Sequence, residues 1–430
     1  MLKISGTAQD AVDAALRLAD QPAARNVFTS RADARARAEA AAADATAERP
    51  PYRGVPTCIK DNVDIVGEVT TAGTKILAKN PPAAKDAPIA ARLKRAGFIN
   101  LGRTNMTEFA FAAVGTNPHY GTPRNPAFID DRIPGGSSSG AAVAVALGIV
   151  PAAIGSDTGG SVRIPAALCG ITGFKPTFGT ITNQGTYPLA ASVDTLGVLA
   201  RSVADCAAMF DVIRDQPGAG RPQVPSRARL AVIGNYVRKG LDGAVAAAVD
   251  AACALLSDAG LELVPLDLPE IDEIPELHKN GTMVMFEGYQ ALKDIVPGHE
   301  AECDPRIVAR ILAGGKITQD TYAAIMRRRA ELQASVAQRL ANYDAYLMPA
   351  TAITAPLIAS VQDQDAFLAT NALLLRNATV GNFMGHCAIS LPCQPRGGAP
   401  VGLSLSMTGG KDDALLALAE SAERILERRK

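Results

Sequence analysis

The chain reads as an α/β protein built on a largely buried sheet, and three observations carry that reading. Short apolar stretches alternate with helix-patterned segments along most of its 430 residues, the pattern of a sheet packed against helices. Hydrophobic residues make up 48% and charged residues 20%, the balance of a soluble globular chain. The length suffices for one large domain or two ordinary ones, so a sizeable core is expected.

The first fifty residues predict two Ala-rich helices, near 7–20 and 31–47, closed by Pro50-Pro51. Segment 55–59 then reads as a strand, 87–97 as an amphipathic helix and 98–101 as another strand. A Gly/Ser-rich loop at 135–140 precedes a small, apolar stretch at 141–149 suited to a buried helix, and 151–154 returns as a short strand. Residues 215–229, rich in Pro, Gly and Arg, form the best internal linker candidate. Strand, helix and strand follow at 230–234, 243–259 and 261–266. From 269 to 341 the pattern is mostly helical and includes a charged helix at 318–341. Late strands are predicted at 345–348, 389–391 and 401–406, with a closing helix at 411–428.

Charge narrows the partners. Lys plus Arg equals Asp plus Glu, 43 each, so no net field favours nucleic acid or an anionic membrane. The clusters Arg327-Arg328-Arg329 and Arg428-Arg429-Lys430 read as solvated helix faces. The N-terminus lacks a signal-peptide pattern, and no apolar run reaches the ~18 residues of a membrane helix. The seven cysteines are scattered, odd in number and without a CxxC pair, as expected of free thiols in a cytoplasmic protein. The four histidines show no metal-ligand spacing, and no metal or other cofactor is expected.

Chemistry concentrates in Pro134–Pro176, PGGSSSGAAVAVALGIVPAAIGSDTGGSVRIPAALCGITGFKP. It holds two Gly-Gly-Ser turns, ending at Ser137 and Ser161. Glycine pairs permit positive φ and leave backbone N–H groups unobstructed, which suits a serine held in an exposed pose beside an oxyanion site. The small-residue helix after the first turn adds its N-terminal dipole. A phosphate loop is the competing reading, but GxxxxGK[ST] and GxGxxG are both absent. Residues alone stop at an anion or oxyanion site with serines.

This segment resembles the signature region of the amidase signature family, and the resemblance extends along most of the chain. GVPTCIKDNVDIVGEVTTAGT at 54–74 resembles the family's catalytic-lysine segment. GRTNMTEFAF at 102–111, NPHYGTPRNP at 117–126, DTLGVLARSVADC at 194–206 and PVGLSLSM at 400–407 are also similar to family blocks. The resemblance implies one domain over 1–430: a single large mixed sheet with helices on both faces, and a variable, substrate-shaping region at 215–342. It further implies Ser161 as nucleophile, Ser137 as bridging serine after a cis Gly136–Ser137 bond, and Lys60 as general base. The N–H groups of Thr158, Gly159, Gly160 and Ser161 would form the oxyanion hole, with Ser138, Asp157 and Arg163 in support.

A serine hydroxyl needs a neighbour to take its proton, and lysine can do so only when burial or nearby positive charge lowers its pKa. Asp61, adjacent to Lys60, would oppose that shift and is expected to point into a structural network. Asp157 with Arg163 reads as a loop-shaping pair, Cys58 and Cys169 as small core residues, and His119 and His386 as non-catalytic. Met283, Met285, Phe286, Tyr289, Tyr120 and 183–187 are candidates for the pocket wall.

The implied activity is hydrolysis of a carboxylic amide through an acyl-serine, with reach to esters, anilides or carbamates. Alternatives are the glutaminase-type subunit of a tRNA-dependent amidotransferase, a urea-derivative hydrolase of allophanate or biuret type, and an inactive binding module. The expected partner is a small-molecule amide substrate, without nucleic acid or membrane; a homodimer stays open.

Overall fold

Among the described residues eleven strands lie edge to edge in one mixed sheet. In this computed structural model residues 2–427 are described, apart from Ala219 and Ser226; the basic tail 428–430 lies outside the described residues. The strands are β1 (Phe28–Arg31), β2 (Pro56–Lys60), β3 (Ile99–Thr104), β4 (Ala152–Ser156), β5 (Thr172–Lys175), β6 (Leu196–Ala200), β7 (Arg229–Ile233), β8 (Glu262–Leu266), β9 (Ala345–Pro349), β10 (Cys387–Pro392) and β11 (Gly402–Met407). Their order is β1-β3-β2-β4-β6-β5-β10-β11-β9-β7-β8. Parallel pairs unite β3, β2 and β4 at one end and β8, β7 and β9 at the other, and the centre is antiparallel.

Side chains alternate faces along a strand, and the core divides accordingly. Ala345 and Leu347 of β9 enter one apolar cluster while Tyr346 and Met348 enter another; Leu230 and Ala231 of β7 split the same way. The first face is covered by helices Pro88–Arg95, Val203–Ile213, Gly243–Asp258 and Asp412–Glu427. On the opposite face, helices Ala8–Ala19, Asp33–Ala45 and Ser139–Ala146 cover one half. Helices Pro305–Gly314, Gln319–Arg339 and Gln364–Phe383 cover the other. Helix Ser139–Ala146 can lie this close because its side chains are small and seven of its eight residues are buried. No helix among the described residues is long and apolar enough to cross a membrane.

The predicted strands and helices recur within a few residues of their expected places. Three differences stand out. The 20-residue helix Gln364–Phe383 and the edge strand β1 fall where no element was predicted. Arg329, expected on a solvated face, is 8% exposed and donates through Nε to the Phe383 carbonyl at 2.7 Å. The reason is position: Arg328 faces Glu273 and Glu331, whereas Arg329 turns inward against the end of helix Gln364–Phe383.

Candidate active site

The C-terminal ends of parallel strands β2 and β4 deliver the first two groups, as open α/β sheets commonly do at such edges. Lys60 ends β2 and Ser156 ends β4, and Ile59 pairs with Ile154 across the two strands. Lys60 Nζ lies 2.5 Å from Ser137 Oγ and 2.8 Å from Ser156 Oγ, with Lys60 and Ser137 fully buried. Asn62 Nδ2 donates to the same Ser156 hydroxyl at 3.2 Å. Burial pushes the Lys60 ammonium down to about 7, against the upward pull of Asp157 and Asp194. A lysine so placed is available as a neutral base near neutrality.

The first Gly-Gly-Ser turn carries Ser137 through left-handed backbone at Gly135 and Gly136, φ 76° and 60°. A Cβ at Gly136 would lie 2.2 Å from Pro165 Cδ, so only glycine fits. The cis bond expected at Gly136–Ser137 is not observed; peptide bonds among the described residues are trans, and the two positive-φ glycines make the reversal instead. Ser138 Oγ accepts from Ser156 N–H and donates to the Ser156 carbonyl, each at 3.2 Å, which ties this turn to β4.

The second turn is organised by Asp157. Its carboxylate accepts from the N–H groups of Gly160, Val162 and Arg163 at 2.9, 3.1 and 3.3 Å. It also receives Arg163 Nε and Nη2 at 3.1 and 2.9 Å, and Asn382 Nδ2 at 2.8 Å. Burial alone would raise the Asp157 pKa, but the Arg163 guanidinium and the Asn382 amide bring it down to about 2. Breaking a buried pair of this kind typically costs about 3–5 kcal/mol. Of the four N–H groups expected in the anion hole, that of Gly160 donates to Asp157 in this structure. The N–H groups of Thr158, Gly159 and Ser161 meet no acceptor among the described residues.

Ser161 follows Gly160, whose φ of 118° and missing Cβ allow close approach to Ala378. The two turns meet where Ser138 N–H donates to the Ser161 carbonyl at 3.3 Å. Ser161 Oγ itself makes no hydrogen bond to the described residues.

Ser161 opens onto a cavity of about 450 Å³, with Thr158 and Gly159 in the same wall. Met283, Met285, Leu368 and Leu375 make much of the remaining surface apolar. Met283 and Met285 were expected there. Phe286 instead stacks on Tyr322 at 4.5 Å, and Tyr289 packs against the Gly314-Gly315 backbone. Tyr120 lies under Lys75, away from this wall. Asn183, Thr186 and Tyr187 border a smaller recess beside Ser156.

Several other residues singled out in the sequence take structural partners. Asp61 turns away from Lys60 to Arg103, 2.5 Å from Nε, and to Thr71. Burial raises the Cys58 and Cys169 thiols, as expected for core residues. His119 pairs with buried Glu108 at 2.8 Å, and His386 with the Tyr346 hydroxyl at 3.0 Å. Among the described residues no cluster of three His, Cys, Asp or Glu is placed to hold a metal ion.

Four contributors escaped the sequence. Ser156 and Asn62 each lie inside a segment quoted above, Pro134–Pro176 and 54–74, a signal that could have singled them out. Asp194, linking Thr158 Oγ1 at 2.6 Å to the Leu189 and Ala190 N–H groups, had a weaker one. Arg310 had none. It lines the cavity, donates through Nε to the Phe111 carbonyl at 3.1 Å, and has no carboxylate partner among the described residues. Burial lowers its pKa to about 10.

Comparison with known proteins agrees with this architecture. The family model described as Amidase matches residues 10–416. The chain is 33% identical over 415 residues to a 2-amino-5-chloromuconic acid deaminase of Comamonas testosteroni, covering 93% of this chain and 88% of the relative. It is 37% identical over 353 residues to the 1-carboxybiuret hydrolase subunit AtzE of Pseudomonas sp. (strain ADP), covering 77% and 75%. A crystal structure of an amidase superposes with a TM-score of 0.88 at 30% identity, over 99% of this chain and 96% of the other. The chain belongs to the amidase family, the amidase signature enzymes.

Proposed function

We propose that this amidase cleaves a small amide that carries an acid group, through an acyl-enzyme on Ser161. The chain is a hydrolase of non-peptide C–N bonds by family; the roles of its residues are our assignment. The observation that carries the assignment is Lys60, buried, depressed to about 7 and 2.5 Å from Ser137 Oγ. A neutral lysine has one lone pair and two N–H bonds. Directing the lone pair at Ser137 and an N–H at Ser156 makes Ser137 a proton conduit rather than a mere neighbour.

Ser161 Oγ attacks the carbonyl carbon, and its proton passes through Ser137 to Lys60. The developing oxyanion meets the free N–H groups of Thr158, Gly159 and Ser161. The proton returns along the same path to the leaving nitrogen, whose bond to carbon breaks. Water then cleaves the ester, giving up its proton by the same relay and freeing Ser161. Asp157 and Arg163 shape the turn without touching the reacting atoms, and the whole chain serves as one domain around a single sheet.

Charge in the cavity supports an acidic substrate. Arg376 also lines it but donates to Asn377, Lys239 and Val237, while neither Nη group of Arg310 donates to the described residues. Among the described residues no Asp or Glu lines the cavity, so a ligand ammonium finds no counter-charge there. This weighs against the glutaminase reading, because glutamine brings an ammonium together with its carboxylate. The names of both relatives above also point to acids, a muconic acid and a carboxybiuret.

The test is Ser161→Ala assayed with a panel of acid-bearing amides, ureas, esters and carbamates. Loss of turnover and of the mass-detected acyl adduct, with an unchanged melting temperature, is expected. Turnover at the parent rate in that variant overturns the assignment.

A further inference from the structure

The recess beside Lys60 differs from the substrate cavity in size and in lining. It measures about 10 Å³, is bordered by Asn62, Ser156, Asn183, Thr186, Tyr187 and Asp194, and adjoins the larger cavity along Ala110, Thr158 and Leu189. Four of these residues carry a buried oxygen with no hydrogen-bond partner among the described residues: Asn62 Oδ1, Asn183 Oδ1, Thr186 Oγ1 and Tyr187 Oη. The amide orientations are set from their other ends. Asn62 Nδ2 donates to Ser156 Oγ at 3.2 Å, and Asn183 Nδ2 donates to the Asp194 carbonyl at 2.7 Å.

Buried polar atoms are nearly always paired, and each orphan costs about 1–3 kcal/mol. Four around one small recess therefore call for an occupant. Two acceptor-only amide oxygens and two hydroxyls match one water molecule, which donates twice and accepts twice. The space is that of roughly one probe sphere, enough for one water. A cation is disfavoured, because Asp194 already spends its carboxylate on Thr158, Leu189 and Ala190, and Lys60 stands one hydroxyl away.

We propose that Asn62, Asn183, Thr186 and Tyr187 bind a single water molecule, which seats Asn62 against Ser156 and closes the back of the Lys60 site to bulk solvent. The charged groups facing Lys60 are Asp157 and Asp194, both of which favour its ammonium form. Dehydration is what opposes them. Loosening the recess lets solvent approach, and the ammonium gains. The four residues are positioning residues for the base, and the argument rests on the reading of Lys60 in that role.

The experiment is a pH profile of kcat/KM for the full-length parent, Tyr187→Phe, Thr186→Val and Thr186→Ser, on one substrate. In the first two variants the acid limb should move up by about half a pH unit or more, without a uniform fall of the whole profile. Thr186→Ser keeps the hydroxyl and should retain the parent limb. A limb that stays in place, or a drop of equal size at every pH, overturns the water site. A parent profile with no limb between pH 6 and 8 refutes Lys60 as the base, and so separates failure of the proposed relay from failure of the recess.

Discussion

A guanidinium facing an apolar cavity without a carboxylate is costly to keep there, and Arg310 is in that position. Among the described residues its hydrogen bond is through Nε to a backbone carbonyl, and its guanidinium lies over the Phe111 ring; the two outer nitrogens form the fork that matches a carboxylate. Arg310→Ala should raise KM for an acid-bearing amide by roughly ten- to a hundredfold, the size of one or two charge-assisted hydrogen bonds. The neutral methyl ester or carboxamide of the same compound should lose far less. Arg310→Lys, with charge but no fork, should fall between. Paired KM measurements on the acid and its neutral analogue check this, and equal losses on both would remove Arg310 from substrate recognition. The contrast with Lys60 explains what sequence can reveal about a site. Lys60, Ser137 and Ser161 sit in motifs whose glycines and spacing are visible in the chain. Arg310 matters because of what is missing around it, and a missing counter-charge is a property of the folded cavity alone.

At the level of elements, the two Gly-Gly-Ser turns place both serines. Their glycines face different obstacles. Gly136→Ala meets both a left-handed φ of 60° and Pro165 Cδ at 2.2 Å. Gly179, also left-handed at φ 82°, has open space where a Cβ would go. Strain alone should cost Gly179→Ala about 1 kcal/mol. Gly136→Ala should cost about 3 kcal/mol or more once overpacking is added, and should lose activity even where folded. Denaturant melts of the two variants decide it, and equal destabilisation would mean that the packing at Pro165 relaxes. The helix Gln364–Phe383 shows why one element escaped prediction. Its buried residues include Asn371, Asn377 and Asn382 among Leu374, Ala378 and Phe383. Those amides serve loops: Asn371 accepts from Ala113 N–H, Asn377 donates to Val237 and Pro349, and Asn382 holds Asp157. Polar residues on the inner face erase the hydrophobic period on which a helix prediction depends. Strand β1 escaped for a simpler reason, since it is a four-residue edge with two exposed positions.

Across the whole molecule, the formal charge is balanced, but several bases are buried in forms they would not hold in an unfolded chain. Burial brings His278 down to about 4. It also lowers His386 to about 3 and Lys175 to about 8, with Lys175 adding to the first shift and Arg163 to the second. Lys60 stands at about 7. For a base with a depressed folded pKa, the unfolded chain binds more protons between the two pKa values, so stability rises with pH across that interval. The histidines place their intervals from about pH 4 or below up to about 6.5, and the lysines from about 7–8 up to about 10.4. Asp157, held at about 2, acts lower still: its contribution is present above about pH 4 and is lost as pH falls towards 2. All five groups therefore tilt the curve the same way. Urea midpoints measured from pH 4 to pH 8 should climb, with one rise below pH 6.5 and a second above pH 7 from Lys60; above about pH 8.5 the buried thiols of Cys58, Cys169, Cys206 and Cys387, whose pKa values burial raises, act in the opposite direction. Lys60→Met should flatten part of the upper rise while leaving the lower one intact. A maximum near pH 6 with decline on both sides would mean that these bases are hydrated in the folded protein, and would remove the support that burial lends to Lys60 as the acceptor of the Ser161 proton.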